Sequence, residues 1–136
     1  MNNLGGVLQD LGDLKGARAC YERALGIFEA AYGPDHPQVA IGVNNLGSVL
    51  WEQGDLEGAR ECFERALRID EAVYGPDHPQ VAIRVNNLGG VLQEEGDLEG
   101  AREKYERALA ICRRVYGEEH PKTQMVLRNL KTLEGE

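Results

Sequence analysis

The chain predicts an all-α fold of stacked, antiparallel helix pairs, and three observations predict it. Asn-Asn-Leu-Gly recurs at Asn2, Asn44 and Asn86, an aromatic-Glu-Arg-Ala-Leu segment begins at Tyr21, Phe63 and Tyr105, and His-Pro falls at His36, His78 and His120, each step being 42 residues. Residues 32–73 and 74–115 are identical at 32 of 42 positions. Within each period, apolar residues return at three- and four-residue steps, the spacing of one helix face. A fixed period of this size belongs to solenoids, in which each unit buries its apolar face against its neighbours.

Seven helices are expected, near residues 2–11, 14–32, 36–53, 56–74, 78–95, 98–116 and 120–134. The first, 2–11, is short: Met1 aligns with Val43, so about seven residues present in its counterparts are lacking. The second, 14–32, repeats the pattern that is clearest one period later. In 36–53, Pro37 suits the first turn, and Asp35 or His36 can cap it. Val39, Ala40, Val43, Leu46, Gly47 and Leu50 then mark one face. Gly54 supplies a left-handed stop, and Asp55 restarts the chain as an N-cap with Glu57 in the favourable first turn.

Helix 56–74 is expected to bury Leu56, Ala59, Cys62, Phe63, Ala66, Leu67, Ile69 and Val73, with Glu61–Arg65 and Glu64–Arg68 pairing along its exposed face. It ends at Tyr74-Gly75, before Pro76. Helices 78–95 and 98–116 restate the pair. Mid-helix Gly5, Gly47 and Gly89 would let the small column Ala17, Ala59 and Ala101 approach closely. In 120–134, Leu127, Asn129 and Leu130 keep the first-helix pattern, but Lys131 and Glu134 stand where packing residues belong, so this segment reads as a cap. One array is expected over 1–136: a truncated repeat 1–33, repeats 34–75 and 76–117, and the capping helix 118–136.

Fifteen Lys and Arg against 23 Asp and Glu give a net charge of −8. That balance argues against nucleic acid, which needs a cationic stripe, and against anionic membranes. No apolar run approaches the roughly 20 residues of a membrane span, and the N-terminus has no signal-peptide pattern. Cys20 and Cys62 share a column whose helices should lie about 8–10 Å apart, beyond the ~7 Å a disulfide spans. Cys20, Cys62 and Cys112 are therefore expected as free thiols in a reducing, cytoplasmic setting. The histidines recur once per repeat with no nucleophile beside them, too far apart to share a metal with ~2 Å bonds. No enzyme motif occurs, and no cofactor or metal is expected.

Leu46-Gly47, Leu50, Ala59, Phe63 and Ala66 stand at the spacings of the tetratricopeptide repeat, and the Gly-Pro-Asp-His-Pro link and long second helix make the chain similar to the 42-residue kinesin-light-chain-like subfamily. The chain departs from the pattern where an early aromatic is replaced by Val43 or Val85. The resemblance implies a right-handed alpha-alpha superhelix that binds protein or peptide, with the first helix of each pair lining a concave groove. The columns facing it would be Asn2, Asn44, Asn86 and Arg128; Asn3, Asn45 and Asn87; Ser48; Gln9, Trp51 and Gln93; and the acids Asp10, Glu52 and Glu94. Asparagine offers donor and acceptor together, so an amide ladder could grip an extended peptide's backbone, and Trp51 could anchor it.

Residues 1–11, 36–53 and 78–95 carry no Lys and one Arg, Arg84, so a bound peptide should be neutral or basic. The alternative is a structural spacer or self-assembly arm without a peptide ligand, whether a fragment of a larger signalling protein or an engineered consensus-like array. Near-identical repeats favour it. Met1, Leu4 and Leu8, with no repeat ahead of them, would then form a homodimer or end-to-end stacking surface.

Overall fold

A computed structural model describes the backbone of residues 2–135 and the side chains of residues 4–134. Among the described residues the fold is all-α, with seven helices and no strand: α1 (Asn2–Asp10), α2 (Leu14–Tyr32), α3 (Pro37–Glu52), α4 (Leu56–Tyr74), α5 (Pro79–Glu95), α6 (Leu98–Tyr116) and α7 (Pro121–Gly135). The chain divides into two compact units, Met1–Val73 and Tyr74–Glu136.

The links are fixed by local chemistry. Asp13, Asp55 and Asp97 each accept the backbone N–H of the glycine three residues on, at 2.9 Å, which caps α2, α4 and α6. Caps of this kind contribute about 1 kcal/mol each. Gly54 adopts φ +87°, the left-handed stop expected between α3 and α4. Of the two candidate caps for α3 it is His36, not Asp35, whose side chain serves.

In the first unit α2 packs against both α1 and α3. One core cluster joins Val39, Ala40 and Val43 of α3 to Ala66 and Ile69 of α4, with Leu25, Phe28 and Cys62 against it. A second joins Ala17 and Tyr21 of α2 to Val49, with Leu8, Leu14 and Leu46 against it. In the second unit α6 lies against α5 and α7. Its buried residues Ala101, Tyr105, Ala108, Ile111 and Cys112 accompany Val81, Val85, Leu88 and Val91 of α5 and Val126 and Leu130 of α7.

Four expectations change. The glycine column faces the aromatics rather than the alanines: a Cβ on Gly47 would lie 2.9 Å from the Phe63 ring, and one on Gly89 2.7 Å from Tyr105. Val73 is 45% exposed and lies outside the core cluster to which Ile69, one turn earlier, belongs. Arg65 does not pair along its own helix with Glu61; it reaches Glu29 of α2 at 2.6 Å and the Pro34 carbonyl at 3.3 Å. A tertiary partner at that distance outbids an i,i+4 pair worth a few tenths of a kcal/mol. Leu8 is half-buried against a core cluster, and the exposed N-terminal apolar residues are Leu4, Val7 and Leu11.

Candidate functional site

In the first unit, α1 and α3 present the predicted columns, and several of their side chains are tied to one another. The Gln9 amide donates to Ser48 Oγ at 3.1 Å and to a Glu52 carboxylate oxygen. Gln9 Oε1 in turn accepts the Tyr21 hydroxyl at 3.1 Å. Three residues expected to face a ligand are thus joined in one polar track. Trp51 is half-buried, its ring edge-on to Phe63 at 5.9 Å and 74°. Asn44 and Asn45 are half-buried, while Asp10 and Glu52 are exposed. Asn44 makes a further interaction of its own. Met1, Asn2 and Asn3 lie outside the described side chains.

In the second unit two residues of the predicted columns, Asn86 and Asn87, border a cleft. Asn129 Nδ2 donates to Asn86 Oδ1 at 3.1 Å, linking α7 to α5 through amides of the repeated Asn pair. Asn87 is also engaged. Beside these amides Pro79, Ala82, Ile83, Cys112, Met125 and Val126 line an apolar cleft of about 110 Å³. Lys122 stands at its rim, Nζ 3.4 Å from the Tyr116 hydroxyl and 5.1 Å from the ring centre. Gln93 accepts the Tyr105 hydroxyl at 2.9 Å, and Glu94 and Arg128 are exposed.

Burial first, and then the Glu94 carboxylate, push the Tyr105 phenol above its usual range; burial and then Asp10 do the same for Tyr21. Both hydroxyls therefore remain donors to their glutamines at neutral pH. Burial also raises the Cys112 thiol, with Lys122 acting in the opposite direction, and raises Cys62, helped by Glu61. The three cysteines are free, Cys112 buried and the others half-buried. Cys62 and Cys112 are, on these grounds, weak nucleophiles.

The sequence reading missed one column. Ile41, Ile83 and Met125 recur at the 42-residue step, off the apolar stripe that packs the helices, and are 40%, 37% and 42% exposed. Their signal was an apolar residue repeated at a position the helix-packing pattern does not need. Arg84, counted above as the lone cation of residues 1–11, 36–53 and 78–95, is 6% exposed and not presented to solvent.

The histidines are helix caps. His36, His78 and His120 Nδ1 accept the backbone N–H groups of Gln38, Gln80 and Lys122 at 3.0, 3.0 and 3.1 Å. Each ring stacks on the tyrosine four residues earlier, Tyr32, Tyr74 or Tyr116, at 4.3–4.5 Å. Among the described residues no group of three or more His, Cys, Asp or Glu is placed to hold a metal. No helix there is long and apolar enough to cross a membrane.

Comparison with known proteins places this geometry in a family. Tetratricopeptide repeat models match residues 39–84 and 81–136, and a further one matches residues 1–38. The chain resembles the crystal structure of BtubC (BKLC) from P. vanneervenii, with TM-score 0.90 and 27% identity, covering 97% of this chain and 53% of that one. A Podosopora anserina putative kinesin light chain with nearly identical TPR-like repeats gives TM-score 0.89 and 21% identity over 97% of this chain and 63% of the other. The N-terminal domain of stress-induced protein-1 (STI-1) from C. elegans gives 0.70 and 19%, covering 98% and 91%. The chain thus spans about half the length of the first of these. Comparison with curated proteins gives no match. The repeat models together run along nearly the whole sequence, and the chain belongs to the tetratricopeptide repeat family, with a likeness to its kinesin-light-chain-like members.

Proposed function

We propose that this chain is a non-catalytic protein-interaction scaffold whose first helices hold an extended peptide segment, neutral or basic in charge, in a cytoplasmic setting. The observation that carries the reading is the cleft of the second unit, where exposed Ile83 and Met125 sit beside the amides of Asn86 and Asn87. An apolar recess next to paired donors and acceptors suits a side chain and its flanking backbone together. Peptide grooves of this family are its usual binding surface; Asn44, Asn45, Ser48 and Trp51 are the candidate contacts of the first unit, and Gln93 is a further one on α5 of the second.

Charge sets the preference. Asp10, Glu52 and Glu94 are exposed on first helices of a chain carrying −8, while Lys122 is drawn over the Tyr116 ring. A fluorescent basic peptide with alternating apolar residues should bind more tightly than its acidic scramble, and the difference should shrink as salt rises. Ile83→Asp with Met125→Asp, both at exposed positions, should weaken binding at least about tenfold. Equal binding of the two peptides, or full binding by the double variant, overturns the reading.

A second reading, a spacer or self-assembly arm, is favoured by the exposure of Leu4 and Val7 at 55% and 53%. It requires no peptide ligand and is compatible with the chain being part of a longer array.

A further inference from the structure

We propose that two copies of this chain pair through the α1–α2 edge of the first unit, centred on Leu11; this rests on the self-assembly reading and is independent of the peptide cleft. Leu4, Val7, Leu11 and Ile27 are 55%, 53%, 76% and 49% exposed. One period later Val49 and Ile69 are 0% and 4% exposed, and two periods later Leu88, Val91 and Ile111 are 2%, 0% and 1%. Val49 is covered by Ala17 and Tyr21 of the preceding helix α2. A further repeat placed ahead of α1 would therefore cover Val7 in the same manner.

Such a repeat would not cover Leu11. Its counterparts Gln53 and Glu95 are polar and exposed inside the array. The same holds for two neighbouring exposed positions: Lys15 replaces Glu57 and Glu99, and Ala19 replaces Glu61 and Glu103. The trio Leu11, Lys15 and Ala19 carries +1, where Gln53, Glu57 and Glu61 carry −2 and Glu95, Glu99 and Glu103 carry −3. Array extension leaves this change without a purpose. Contact with another acidic surface gives it one.

The partner that fits is a second copy. Two chains of charge −8 repel, and they can approach where the acids have been removed. The acids that remain nearby are largely occupied: Asp13 accepts the Gly16 N–H at 2.9 Å, and Glu22 pairs with Arg18 at 3.2 Å. Asp10, the last residue of α1, and Lys15, in the first turn of α2, are both exposed, so an anion and a cation flank Leu11 along the chain. A patch holding both signs around an apolar centre is self-complementary, as a two-fold interface demands.

Sedimentation velocity of the whole chain from about 10 µM to about 1 mM, a range suited to a contact smaller than the standard ~800 Å² per partner, should show a monomer–dimer equilibrium. Leu11→Glu with Ala19→Glu installs residues that later repeats carry at the same exposed positions, so the fold and melting temperature should hold. The variant's dimerisation constant should weaken about tenfold or more, with peptide affinity unchanged. Ile83→Asp, in the cleft, should leave dimerisation as it was. A wild-type monomer throughout, a Leu11→Glu/Ala19→Glu variant that pairs as well as wild type, or loss of pairing by Ile83→Asp overturns the proposal.

Discussion

The Tyr105 hydroxyl donates to Gln93 at 2.9 Å, and in the first unit the Tyr21 hydroxyl reaches Gln9 at 3.1 Å in the same register. Between them in sequence the aromatic is Phe63, which has no hydroxyl, and the glutamine's place is taken by Trp51, packed edge-on against the Phe63 ring. The two columns therefore change together: a phenol with an amide acceptor, or a bare ring with an aromatic neighbour. Phe63→Tyr alone should strand a hydroxyl against the indole and cost about 1–3 kcal/mol. Phe63→Tyr with Trp51→Gln should recover most of that loss. A denaturation-based double-mutant cycle checks it, and additive costs would show that the pair is uncoupled.

This coupling also marks how far sequence reading reaches. The 42-residue step, the Asp and His caps and the Gly54 stop placed all seven helices within a residue or two of their observed ends, because caps and turns are set by short-range chemistry. Partners across helices were another matter. Arg65 has acids at helical spacing in its own helix yet bonds Glu29, and the Gln9 and Gln93 amides, expected to face a groove, accept hydroxyls from tyrosines. Which neighbour a long side chain chooses depends on the interhelix approach, and the repeat pattern does not print that. The apolar cleft escaped for a related reason: Ile83 and Met125 lie off the packing stripe and acquire meaning only when α5, α6 and α7 are assembled.

Glycine-to-alanine substitutions should take opposite signs at two helical positions. A Cβ at Gly47 would lie 2.9 Å from Phe63 and 3.0 Å from Cys62, so alanine must displace a buried ring. The overpacking cost of about 1–3 kcal/mol should exceed the roughly 1 kcal/mol gained in helix propensity. Gly26, inside α2, has nothing within 4 Å of a built Cβ, and its alanine should stabilise by up to about 1 kcal/mol. Equal melting shifts in the two variants would show that the close approach at Gly47 does not govern packing.

His78 does two things at once, accepting the Gln80 N–H at 3.0 Å and stacking on Tyr74 at 4.3 Å. His78→Ala removes both and should cost about 1 kcal/mol or more. His78→Asn keeps an acceptor at the cap and loses only the stack, so it should fall between alanine and wild type. If asparagine and alanine are equally damaging in thermal melts, the ring contact rather than the cap is what stabilises the α4–α5 link.

Alkaline pH provides the final test. Burial, and then Glu94 or Asp10, raise the phenols of Tyr105 and Tyr21 above their ordinary value. The folded state therefore favours the protonated form more than the unfolded chain does. That contribution is fully present below the unfolded value of about 10 and is lost as pH climbs from there through the raised folded value. Ionisation would also turn each hydroxyl from donor to acceptor, facing the glutamine oxygen that had accepted from it. Stability measured by urea denaturation should consequently fall above about pH 10. A Tyr21→Phe/Tyr105→Phe variant should start lower at pH 8 and lose less over the same interval, because the groups responsible for the slope are gone. Parallel slopes in the two proteins would assign the alkaline loss to other titrating groups and break the link between these hydroxyls and the fold.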